Sequence, residues 1–173
     1  DGPAAVVRKF SPRGEHLDDI RPPGQGADEG PAAFDAPRKN FDLAALARDR
    51  FVVGNTRPHR VEIYDSAGNR QSAWGDFSET NPALFQGCCN PCNVASYVLA
   101  DGQRVIVTAE KRSAPDGQPR VKVYTETGKL FALVTSPAIG RDNETLDLAI
   151  DDQGRIYVAD PVNRVVHRFA PAR

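Results

Sequence analysis

The sequence predicts an all-β protein assembled from repeated four-stranded sheets, and three observations lead there. Paired short segments rich in β-branched and aromatic residues recur along the chain. Arg50-Phe51-Val52-Val53 is followed by Arg60-Val61-Glu62-Ile63-Tyr64, Arg104-Val105-Ile106-Val107 by Arg120-Val121-Lys122-Val123-Tyr124, and Arg155-Ile156-Tyr157-Val158 by Arg164-Val165-Val166-His167-Arg168-Phe169. Arg50, Arg104 and Arg155 head successive copies at a period of about 50 residues, a spacing typical of stacked arrays and propellers. The 14 Gly and 14 Pro among 173 residues suit a chain that turns often.

Each element can be read in order. Residues 6–15 have the shape of the later strand-turn pairs, so residues 1–20 are expected to be the outer strands of an incomplete unit. Residues 21–40 form a Pro/Gly-rich linker loop. A first complete unit spans 41–84, with its innermost strand at 43–47 and the turn Asp65-Ser66-Ala67-Gly68-Asn69 between its outer strands. A second spans 85–140: it begins with a cysteine cluster, has an inner strand at 94–99, and turns at Asp101-Gly102-Gln103 and Thr125-Glu126-Thr127-Gly128. The last, 141–173, has an inner strand at 146–150 and ends before a fourth strand. Four short strands per period select a propeller, in which every blade hides its faces against two neighbours.

These residues resemble the NHL-repeat family. The nearest fit is Gly154-Arg155-Ile156-Tyr157-Val158-Ala159-Asp160 with Asn163-Arg164-Val165 and Phe169, and a second is Asn55 with His59-Arg60-Val61 and Tyr64. The middle unit departs from the pattern, with Thr108-Ala109-Glu110-Lys111 in place of Ala-Asp. The resemblance implies a partial β-propeller of about three four-stranded NHL-type blades plus an outer-strand fragment. Closed propellers of this kind usually have about six blades, so it also implies a covering partner: another protein chain, a second copy, or further blades of a longer parent chain. The Gly-Cys-Cys-Asn-Pro run is similar to one in a bacterial group of such proteins of unclear function, which links the cysteines with Glu110-Lys111 in one site but names no reaction.

Composition narrows the function. A net charge of −1 argues against a nucleic-acid binder, which needs a surplus of cations on one face. No apolar run reaches the roughly 18 residues of a membrane-spanning helix. The chain lacks Met and begins at Asp1, which suggests processing and a periplasmic or extracellular location, with the cytoplasm as the alternative.

The sharpest local feature is Gly87-Cys88-Cys89-Asn90-Pro91-Cys92. Three readings stay open for it. Cys88, Cys89 and Cys92 could hold zinc or an iron–sulfur cluster, with His59 as a candidate fourth ligand. Cys89 and Cys92 could form a disulfide. The thiols could also simply pack as small buried groups. Propeller topology would gather Asn55, Arg57, Glu110, Lys111, Arg112, Asp160 and Asn163 on the same face as this loop, making it a candidate binding face. His59 also fits a repeat signature, while His16, in an N-terminal turn, and His167, within a strand, read as structural.

No Gly-rich phosphate loop, nucleophile elbow or His-Glu-x-x-His is present. The expectation is a non-catalytic subunit for protein binding or assembly. Its alternatives are part of a metal-dependent propeller lyase or hydrolase, or an electron-transfer accessory subunit.

Overall fold

The computed structural model describes residues 5–23, 34–35, 40–47, 49–113, 116–141 and 144–170. Among these residues every regular element is a strand. β1 (Val7–Phe10) and β2 (His16–Ile20) form a hairpin. β3 (Asp42–Leu46), β4 (Arg50–Asn55), β5 (Arg60–Asp65) and β6 (Arg70–Trp74) form a first antiparallel sheet in chain order. β7 (Asn93–Val98), β8 (Arg104–Ser113), β9 (Gln118–Thr125) and β10 (Leu130–Val134) form a second. β11 (Asp147–Ile150), β12 (Ile156–Asp160) and β13 (Val165–Phe169) form a third, three-stranded sheet. Most of the expected 21–40 linker lies outside the described residues.

The turns follow from local chemistry. Gly68, Gly102, Gly128 and Gly154 donate their N–H groups to the carbonyls of Asp65, Leu99, Thr125 and Asp151, respectively. Each has φ between +73° and +87°, a region costly for a residue with a Cβ. His16 opens β2 and does not lie in the turn. Ser11 closes that turn earlier, accepting from Gly14 N–H and donating its own N–H to Glu15.

Alternation then sorts the side chains. Leu46, Val52, Val61 and Ile63 from one face of the first sheet meet Val94, Ile106 and Tyr124 from the facing side of the second. On the second sheet's other face, Val105, Val107, Val121 and Val123 meet Leu146 and Val158 of the third. Val7 and Ile20 of the hairpin cover Val53 and Tyr64 on the first sheet's remaining face. The sheets are thus stacked in chain order, with β7 lying against both β3 and β11.

A recurrent tie holds these inner strands together. Asp42, Asn93 and Asp147 open β3, β7 and β11 in one register, opposite Gly54, Ala109 and Ala159. Asp42 Oδ2 accepts from Val94 N–H at 2.8 Å, and Asn93 Oδ1 accepts from Leu148 N–H at 3.1 Å. Asn93 Nδ2 also donates to Asp147 Oδ1 at 2.9 Å. Burial raises the Asp42 carboxyl above the usual range, against the lowering effect of the hydrogen bonds from Val94 and Leu43.

Register also exposes an asymmetry. Val61, Val121 and Val166 lie opposite Gly54, Ala109 and Ala159, so they are equivalent positions. Val61 and Val121 are 0% exposed, whereas Val166 is 64% exposed. Full burial of such a side chain is worth about 1.5–3 kcal/mol. The third sheet therefore leaves uncovered a face that its two predecessors bury.

Candidate functional site

Two features occupy the end of the sheets where β4, β8 and β12 finish. The first is a polar couple that repeats. Asn55 and Asp160 end β4 and β12, Glu110 holds the matching register position on β8, and each reaches a partner on the following strand. Asn55 Nδ2 donates to Glu62 Oε1 at 3.1 Å, Lys122 Nζ donates to Glu110 Oε1 at 2.6 Å, and His167 Nε2 lies 2.9 Å from Asp160 Oδ2. One location thus holds an amide with a carboxylate, a carboxylate with an ammonium, and a carboxylate with an imidazole.

Each couple is embedded differently. Tyr64 Oη donates to Glu62 Oε2 at 2.5 Å, and burial beside that carboxylate pushes the Tyr64 hydroxyl well above its ordinary value. Glu110 and Lys122 are completely enclosed. Burial pulls the Lys122 ammonium below its ordinary range, with the adjoining Glu110 carboxylate opposing the shift. Lys122 Nζ also donates to Leu84 O at 2.5 Å, and Arg120 donates to Gln86 and to both oxygens of Asp116. For Asp160, burial alone would raise the pKa. Hydrogen bonds from Gly140 N–H, His167 and Asn163 outweigh it and hold the carboxyl far below its usual range.

The second feature is the loop that carries the cysteines. The Asn90 side chain is buried and fastens this loop to the end of β8. Its Nδ2 donates to the carbonyls of Gln86 and Lys111 at 2.5 and 3.0 Å, and its Oδ1 accepts from Lys111 N–H at 3.0 Å. His59, at φ +54°, donates from Nδ1 to Asn90 O at 2.9 Å, which places the proton of a neutral imidazole on Nδ1. Partial burial lowers the His59 pKa, against the opposing effect of that hydrogen bond.

The expected four-ligand set is not assembled. Cys88 Sγ and Cys89 Sγ lie 2.9 Å apart, but Cys92 points into the core beneath the second and third sheets, with Sγ 3.3 Å from Ala109 O. Burial pushes its thiol up to about 12. His59 addresses a carbonyl. Among the described residues no three His, Cys, Asp or Glu side chains are arranged to hold a metal ion, and no disulfide joins Cys89 to Cys92. The expected places of Glu110, Lys111 and Arg112 on an open face also need correction. Glu110 and Lys111 are buried, and only Arg112, at φ +39°, is exposed. Arg57 is exposed and pairs with Asp35 at 3.1 Å. Asn163 serves Asp160 and Ala138 O, and Asn55 serves Glu62. Asn55, Glu110 and Lys111 are enclosed by the elements packed around the strand ends, while Arg57, Arg112 and Asn163 stay at the surface.

Sequence reasoning missed the roles of Asn90, Asp42, Asn93 and Asp147. The last three were detectable, because a polar residue opens every inner strand in the same register. Asn90 carried no comparable signal, since its partners lie on a distant strand.

No family model matches the chain, and no curated protein matches it. Among solved structures it is similar to a protein of unknown function from Bacteroides caccae, with 14% identity and a TM-score of 0.48, over 96% of this chain and 54% of that one. The chain spans about half the length of that structure.

Proposed function

We propose that this chain is part of a β-propeller and works as a non-catalytic assembly module, with the uncovered face of the third sheet as its docking surface. The observation that carries the reading is the contrast between Val166, 64% exposed, and its fully buried equivalents Val61 and Val121. Ala149, Tyr157 and Ala159 share the face of Val166 by strand alternation, and none of them is buried. An uncovered apolar sheet face of this kind marks an interaction surface. The packing of the sheets in chain order and the side-by-side inner strands support the propeller part of the reading.

The occupant proposed is another sheet of the same construction. Asp42 and Asn93 each accept an N–H from the inner strand of the following sheet, and Asp147 stands in that register on the uncovered sheet. An incoming inner strand would find the same acceptor there. Size-exclusion chromatography with light scattering at neutral pH tests the proposal. The chain should run above its 18.8 kDa monomer mass by pairing its uncovered faces, and V166E should return it to that mass. A well-behaved wild-type monomer would overturn the reading.

A further inference from the structure

We propose that Cys88 and Cys89 form a thiol–disulfide exchange site, closing to a disulfide between adjacent residues at the expense of an external disulfide. The two sulfurs lie 2.9 Å apart, against about 2.05 Å for the bond itself. Little movement separates the dithiol from the bonded form.

The loop holds that geometry. Cys89 sits at φ +65° and Gly87 at φ +74°. A Cβ on Gly87 would fall 2.5 Å from Arg112 O, so the backbone there is pressed against the end of β8. The three Asn90 hydrogen bonds and the one from His59 fix the following peptide. Access is unequal: Cys88 is exposed and Cys89 is buried. Cys92 is withdrawn into the core and does not compete.

The chemistry balances with an organic disulfide as oxidant. The Cys88 thiolate attacks one sulfur of the external disulfide, forming a mixed disulfide and expelling one thiolate. Cys89 loses its proton, and its thiolate attacks Cys88 Sγ, forming the Cys88–Cys89 bond and expelling the second thiolate. Two cysteine thiols are oxidised, the external disulfide is reduced to two thiols, and the released protons end on those products. Adjacent Cα atoms are about 3.8 Å apart, below the usual disulfide range of about 4.4–6.8 Å. Such a strained bond is readily reduced, as suits an exchange site better than a permanent staple.

The test is incubation of the 173-residue chain in glutathione buffers of increasing oxidised fraction, followed by acid quench, alkylation under denaturing conditions and peptide mass mapping. Alkylatable thiols should fall from three to one, with the remaining label on Cys92 and with Cys88 and Cys89 in one unlabelled peptide lighter by two hydrogens. C92S should retain this behaviour. C89S should stop at a glutathione adduct on Cys88, and C88S, at an exposed position, should form no internal disulfide. Three alkylatable thiols under fully oxidising conditions, a bridge to Cys92, or only intermolecular dimers would overturn the proposal.

Discussion

The second and third sheets bury a carboxylate in the same place and stabilise it by opposite means. Glu110 faces Lys122, and both side chains are 0% exposed. Asp160 instead collects hydrogen bonds from the backbone N–H groups of Gly140, Val162 and Asn163 and from Asn163 Nδ2, while His167, its titratable partner, keeps 16% exposure. The first arrangement sets a countercharge against the carboxylate; the second distributes the burden over dipoles that the backbone already supplies. A buried ion pair stands or falls with its partner, whereas a carboxylate ringed by donors tolerates losing one.

The largest effect expected from this contrast is on the second sheet. Glu110→Ala or Lys122→Ala removes one half of an enclosed ion pair and should cost about 3–5 kcal/mol in urea unfolding. Glu110→Leu combined with Lys122→Met should recover most of that loss, because apolar groups of similar volume avoid the desolvation of two ions. A single-variant cost under about 1 kcal/mol would show that water reaches the pair.

A smaller loss is expected at Asp160. Asp160→Asn keeps the shape but replaces one acceptor oxygen with a donor facing other donors, and should cost about 1–3 kcal/mol. Acid titration gives the same residue a second signature. Its folded pKa is depressed, so its stabilisation is complete above the ordinary carboxylate range near pH 4 and is lost as the pH falls below it. Thermal melts from pH 6 to pH 2 should therefore converge for the wild type and Asp160→Asn. Parallel curves would mean that the carboxyl is not held in its ionised form by these donors.

His167→Ala should have the least effect of all, on the order of 1 kcal/mol in the same unfolding assay. Four donors remain on Asp160, and the imidazole is already partly in water. A loss as large as that from Lys122→Ala would erase the distinction between the two sheets.

The repeat was readable because its determinants are local. Val-Ile-Tyr alternation in segments such as 60–64 and 120–124 marks strands without knowledge of their neighbours, and Gly68, Gly128 and Gly154 mark their turns. The candidate site was read only in part. Cys88 and Cys89 do lie together in a loop, and Asn55, Glu110 and Asp160 do share one end of the sheets. What sequence reasoning mistook was direction: it placed Glu110 and Lys111 on an open face, yet both are enclosed.

The amino-acid order by itself determined where strands begin, where they reverse, and that the same unit returns about every 50 residues. Backbone conformation and side-chain alternation act over a few residues, so a linear reading captures them. Only the tertiary structure decided which polar ends meet and which thiols stay together. Cys92 sits three residues from Cys89, but its N–H bonds to Ala109 O and its side chain follows the inner strand into the core. That separation depends on packing between distant segments, which spacing along the chain does not encode.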